Sequence, residues 1–238
     1  MSSTEAINKF VKGYAQLFKT GQRSPILRRP DEYGWFIPAL NSQKLIIANH
    51  PTTCNRYGFP GYLEGYGGFG GFEVNFLPDY KNLNDAGSTS FVTTFATMAS
   101  VLVILAACAA LWDIMKPAII GLLSRCLGGN ATIHAMTHFL EYFKTMKAMV
   151  LLQAVSGHAF VEKGPINSGL DKEATVAAFD KRIHELTGFW LAELTPLPLA
   201  KNVTVPTLFA QVRRDTWIDT SDSQQIFDAL GSKEKKMV

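Results

Sequence analysis

The sequence predicts an α/β fold, a parallel sheet with helices on both faces, in one domain over residues 1–238. Three observations carry that expectation. Apolar runs at residues 44–48, 118–123, 149–155 and 203–212 lack the polar alternation of a sheet with one wet face. Helical stretches separate them, as parallel strands require. The composition, 47% hydrophobic and 18% charged in 238 residues, suits a chain with a sizeable core and excludes disordered, collagen-like and coiled-coil classes.

In chain order, residues 1–19 place Ile7, Phe10, Val11, Tyr14, Leu17 and Phe18 at three-to-four spacing among charges. That is an amphipathic helix without the apolar stretch of a signal peptide. Residues 44–48 (KLIIA) read as a buried strand running into a loop at Asn49, His50 and Pro51. After a glycine- and aromatic-rich loop, residues 77–86, opened by Pro78 and stopped by Gly87, read as a short helix. Residues 91–98 read as a strand and 99–115 as a buried helix that Pro117 ends. Then come a strand at 118–123, a helix at 130–142, a strand at 149–155, a strand within 203–212, and a helix at 221–230 ended by Gly231. Residues 157–202, punctuated by Pro165, Pro196 and Pro198, read as a helical lid insertion. Its Phe179, Ile183, Leu186, Phe189 and Trp190 fall on one helical face and are expected to line a pocket.

The net charge is +3 and the isoelectric point about 8.7, below the range above about 9 that marks nucleic-acid-binding domains. Nucleic acid is therefore excluded as a partner. Three scattered cysteines, Cys54, Cys108 and Cys126, form neither a disulfide framework nor a metal knuckle, which fits a reducing, cytoplasmic setting. Residues 91–112 carry no charge and reach the roughly 20 residues of a bilayer span, so a membrane-anchored form stands as an alternative to the cytoplasmic one.

The most informative stretch is residues 121–130 (GLLSRCLGGN), between a buried strand and a helix. A nucleophile elbow needs small residues two before and two after the nucleophile, because its tight turn brings their Cα atoms against neighbouring chain. Ser124 and Gly128 satisfy this around Cys126. Centring on Ser124 instead would place bulky Leu122 in the turn. A thiol at a helix N-terminus is expected to have its pKa lowered and to be the one reactive cysteine of the chain, with Cys108 buried and inert. The other reading is a tight crossover with a structural cysteine.

With residues 45–51 (LIIANHP), 55–61 (NRYGFPG), 72–80 (FEVNFLPDY) and 205–212 (VPTLFAQV) in the same order, the chain resembles the α/β-hydrolase superfamily. The cysteine elbow is similar to that of its dienelactone-hydrolase and thioesterase-like branch. The resemblance implies hydrolysis of an ester, lactone or thioester, or acyl transfer to another acceptor, with Cys126 as nucleophile. It places an oxyanion site at the N–H of Leu127 and of Thr52 or Thr53, with His50 orienting that loop. It also implies the triad acid at Asp215, with Asp219 and Asp222 as competitors. No cofactor or metal is implied, and the aromatic loop and lid suggest a small apolar acyl or aryl substrate.

Three departures accompany it. The family's general base is a histidine beyond one more strand; the sequence ends at Val238 just after Gly231, so that strand and histidine are expected to be lacking. His158, following the 149–155 strand, is the candidate replacement base. Residues 91–112 lack the polar turn usual there, and the opening hairpin near residues 31–38 is compressed to one strand. Together these give the look of a truncated, mis-spliced or degenerate member. The alternative function is therefore a catalytically inactive relative that binds a ligand or partner. The literal G-x-G-x-x-G at residues 65–70 follows no strand and opens no helix, so it is not read as a dinucleotide site. His134 and His138 lie four apart but lack the glutamate of a zincin helix.

Overall fold

The computed structural model describes residues 34–51, 54–60, 73–93 and 119–238. The expected helices at 1–19 and 99–115, the G-x-G-x-x-G segment, Thr52, Thr53 and Cys108 lie outside them. The described chain runs β1 (Gly34–Ile37), β2 (Lys44–Asn49), β3 (Gly58–Pro60), β4 (Glu73–Asn75), α1 (Leu77–Asp85), β5 (Thr89–Thr93) and β6 (Ile119–Arg125). It continues with α2 (Leu127–His138), α3 (Leu140–Phe143), β7 (Met146–Leu152), α4 (Gly157–Asn167), α5 (Lys172–Thr187), a 3-10 turn (Leu191–Leu194) and α6 (Leu197–Ala200). It closes with β8 (Thr207–Ala210), α7 (Thr220–Ala229) and β9 (Lys235–Met237).

Seven strands form one sheet in the order β1-β5-β2-β6-β7-β8-β9. Every neighbouring pair is parallel except β1 with β5, which is antiparallel. β3 and β4 pair separately. The central apolar runs are buried because both sheet faces are covered. On one face Leu45, Ile47, Leu122, Met149, Leu151 and Phe209 join Ile133 of α2 and Ile226 of α7 in one core, and on the other Ala48, Val92 and Leu123 pack with Phe76 and Tyr80 at α1, while Leu208 and Val212 are exposed. Removing water from such side chains contributes about 1.5–3 kcal/mol each, which is why these runs tolerate no polar alternation.

Three expectations are corrected. The sheet does not lack its last strand, because β9 pairs with β8 from Thr207↔Lys235 to Phe209↔Met237. Residues 232–238 (SKEKKMV) hide it: a three-residue edge strand needs no apolar run, and lysines are common protection for an edge. Its Lys235 also ties the strand to the helix before it. Nζ donates to the carbonyls of Phe227, Asp228 and Leu230 at 2.9, 2.8 and 2.9 Å, at the end of α7 where the helix dipole favours a cation. Lys235→Met is expected to lower stability by about 1–2 kcal/mol in urea titration; an unchanged midpoint would show that water replaces these bonds without cost.

The second correction concerns residues 157–202. Phe179 and Ile183 do not line a pocket at Cys126. They are buried with Val161, Leu191 and Leu194 in a core of their own, while Phe189 and Trp190 are exposed. The single helix expected over 130–142 is also two, broken at Phe139, whose φ of −138° and ψ of 47° leave the helical region. No helix among the described residues is long and apolar enough to cross a membrane. Residues 91–93 form the end of β5, and residues 94–112 lie outside the described chain.

Candidate active site

The C-terminal ends of the parallel strands set the site. In register, Arg125 of β6 lies beside Leu152 of β7, and Leu152 beside Ala210 of β8. The residues that follow, Cys126, Gln153 and Gln211, therefore emerge at one edge of the sheet, where open α/β sheets hold their ligands. Cys126 is the turn between β6 and α2, with φ 52° and ψ −125°. A non-glycine residue in that region costs on the order of 1–3 kcal/mol and persists only when its surroundings enforce it. Here they do. The Cys126 N–H donates to Leu152 O at 3.0 Å, and Gly129 N–H returns to Cys126 O at 2.9 Å.

The small residues around the elbow have separate jobs. A Cβ on Gly128 would lie 2.9 Å from His50 O, and one on Gly129 2.6 Å from Ala154 Cβ, so α2 packs this closely against the β2 and β7 loops only with glycine there. Ser124 is buried in a polar network. Asn49 Nδ2 donates to Ser124 Oγ (3.0 Å) and Thr132 Oγ1 (3.1 Å), Thr93 Oγ1 donates to Asn49 Oδ1 (3.0 Å), and Thr132 Oγ1 donates to Gly128 O (2.9 Å). This network joins β2, β5, β6 and α2 beneath the turn. Asn49 is a residue that sequence reasoning passed over.

Two cavities meet at Cys126, sharing Pro51, Cys54, Val74 and Gln153 as walls. One, of about 220 Å³, is closed by Phe59, Val155, Phe160, Asp215, Trp217 and Ile218. Phe160 and Trp217 stack there with centroids 6.4 Å apart and planes at 20°. The other, of about 320 Å³, opens over Leu152, Ala210, Gln211 and Val212, with Phe76 and Arg125 on its far side. The Arg125 guanidinium lies 4.4 Å above the Phe76 ring and pairs with Asp79 at 2.7 Å.

Asp215 shares the first cavity with Cys126. Its Oδ1 accepts the N–H of Trp217 (2.7 Å) and of Ile218 (3.1 Å), and its Oδ2 accepts Gln153 Nε2 (2.9 Å). The competitors are occupied elsewhere. Asp219 pairs with Lys163 at 2.6 Å, and buried Asp222 accepts both the N–H and the Oγ–H of Ser156 at 2.8 Å. Gln153, also missed from sequence, clasps the region: it holds Asp215, donates to Ser223 Oγ at 3.2 Å, and accepts the Val212 N–H. The signal was available, since Gln153 follows an apolar strand at the level of Cys126, and its φ of 52° marks a second strained turn.

The thiol differs from expectation. Burial pushes Cys126 up from the ordinary 9.0 to about 12; the Leu127 N–H bonded to it works in the opposite direction, and Cys54 and Asp215 add to the rise. A helix N-terminus offers about 0.3–1 kcal/mol to an anion, whereas a rise of this size corresponds to roughly 4 kcal/mol against ionisation. Desolvation wins, and the expectation of a lowered pKa is reversed.

His158 is not brought to Cys126. It lies on α4, half-exposed, with Nδ1 3.6 Å from Glu162 Oε2, in a polar cleft with Lys163, Lys172 and Asp219. The Ser156 cap starts α4 so that residue 158 points to this cleft and Phe160 to the Cys126 cavity. His50 is buried beside the elbow with Nδ1 2.7 Å from Pro51 O, holding the loop that leads to residues 52 and 53. His134 and His138 stack on α2, and His184 stacks on Trp190 at 3.7 Å. Among the described residues, none of the five histidines lines either cavity at Cys126.

No protein-family model and no curated protein matches the chain. Solved structures do. An esterase of Pyrococcus furiosus is 16% identical, with 91% of this chain and 85% of that one covered at a TM-score of 0.59. A structure of the metagenome-derived lipolytic enzymes LipS and LipT is also 16% identical, covering 89% and 88% at 0.57. The esterase domain of a Rhodothermus marinus protein is 14% identical, covering 86% and 80% at 0.55. At these identities the likeness is one of fold, and the chain has the α/β-hydrolase fold.

Proposed function

We propose that this chain is a hydrolase of small esters, lactones or thioesters that works through Cys126. The observation that carries the reading is the strained Cys126 turn standing where two cavities meet. The esterase and lipase neighbours of the fold support it. In the reaction the thiol gives up its proton and sulfur attacks the ester carbonyl. The oxyanion is held by the Leu127 N–H with that of Thr52 or Thr53, the alcohol or thiol departs, and water releases the acyl group. Asp215, held by three donors, is the acid of the site. Phe160, Trp217, Ile218 and Val155 favour an apolar acyl or aryl arm. We assign the chain to one domain in a reducing, cytoplasmic setting, with residues 157–202 reaching the site through Phe160.

A thiol held protonated by burial, with none of the five histidines among the described residues that line its two cavities, makes both attack and release slow. A positioned general base contributes typically 10²- to 10⁴-fold to such steps. With p-nitrophenyl esters the chain is expected to give a slow burst of at most one product per site, little steady turnover, and neither in Cys126→Ala. Sustained turnover that survives Cys126→Ala would refute the nucleophile. The same absence of a cavity histidine favours a second reading, a binding protein for apolar ligands, and saturable ligand binding with no p-nitrophenol release would decide for it.

A further inference from the structure

A second thiol stands at the site. Cys54 lines both cavities together with Cys126, and both cysteines are half-buried and outside any disulfide. Cys54 is carried by the turn in which its N–H donates to Pro51 O at 3.1 Å, on the loop leaving β2. β2 is the strand paired directly with β6, which delivers Cys126, and the two run in step up to Asn49↔Ser124. Both sulfurs are therefore launched from adjacent parallel strands at the same edge of the sheet, into shared space. They also sense each other electrically, since Cys54 opposes the ionisation of Cys126.

We propose that Cys54 and Cys126 form a two-thiol redox site, closed to a disulfide by a peroxide small enough to enter the cavities. In the first step one thiol sulfur attacks the peroxide. An S–O bond forms, the O–O bond breaks, and the thiol proton leaves with the released hydroxide as water. In the second step the other sulfur attacks the sulfenic acid. The S–S bond forms, the S–O bond breaks, and a second water departs with the remaining thiol proton. Two thiols lose two electrons and one hydrogen peroxide becomes two waters. The disulfide ties Cys54 to the elbow and shields Cys126 from irreversible oxidation. Closure speeds up with rising pH, because each attack uses a thiolate. The inference does not depend on Cys126 attacking an ester.

Dilute full-length protein would be treated with hydrogen peroxide at mildly alkaline pH and digested without reduction. The expected product is a linked peptide pair joining Cys54 to Cys126, with two hydrogens lost from the intact chain and restored by dithiothreitol. Cys108→Ser should close as the parent does. Cys54→Ser and Cys54→Ala, each first matched to the parent in circular dichroism and urea midpoint, should carry Cys126 to sulfinic and sulfonic acids at least about tenfold faster. Over-oxidation of Cys126 at the same rate with and without Cys54, a Cys126 link to Cys108, or no linked pair would each overturn the proposal.

Discussion

Alkylation of Cys126 by iodoacetamide is expected to be roughly 50-fold slower at neutral pH than that of an ordinary exposed thiol, and to climb about tenfold per pH unit without levelling off below pH about 10. The sign follows from burial, which moves the thiol from 9.0 to about 12. Below the shifted value the thiolate population falls about 10³-fold, while the more basic thiolate regains a factor of roughly 20 in nucleophilicity. The net effect is slowing at neutral pH and steep acceleration in alkali. Mass-spectrometric labelling rates against pH would check this. A plateau near pH 7 would mean that the helix N-terminus and Leu127 N–H outweigh desolvation after all.

The largest expected loss of stability outside the apolar core comes from Asp222. Its carboxylate is buried and accepts the N–H and hydroxyl of Ser156, whose Oγ in turn caps α4 by accepting Ala159 N–H at 3.0 Å. One side chain on α7 thus fixes the start of α4 and, with Gln153, the path from β7 into it. Asp222→Ala leaves a buried N–H without an acceptor and loosens a helix cap, which together cost about 2–4 kcal/mol. Asp222→Asn keeps one acceptor and should lose about half as much. Urea unfolding with unchanged slope would measure both, and a loss under about 0.5 kcal/mol for Asp222→Ala would show that Ser156 finds water instead.

What was legible in the sequence, and what was not, divides along physical lines. Buried parallel strands announce themselves, because β2 and β6 are covered on both faces along most of their length, and β7 from Met149 onward packs one face into the core, so all three are written in apolar residues there. The elbow was legible for a related reason: Gly128 and Gly129 stand where any Cβ would strike the β2 or β7 loop. β9 was not, since three residues at a sheet edge bury little and carry lysines. The ionisation of Cys126 was misjudged because the helix behind it is local and visible, whereas the Phe160, Trp217 and Val74 walls that desolvate it come from three distant segments. His158 and the 179–190 aromatics failed for want of rotation and docking. Periodicity groups residues on a face but does not say what that face meets, and here Phe179 and Ile183 meet Val161 and Leu191.

The central claim is that the sulfur at the β6–α2 turn takes up an acyl group. The most direct measurement is the intact mass of the chain after incubation with p-nitrophenyl acetate at mildly alkaline pH, followed by peptide mapping. One acetyl group on Cys126, absent in Cys126→Ala and removed by hydroxylamine, is the predicted result. An unmodified Cys126 under conditions that acetylate lysines, or an acetyl group carried by Cys54 or Ser124 instead, would contradict it.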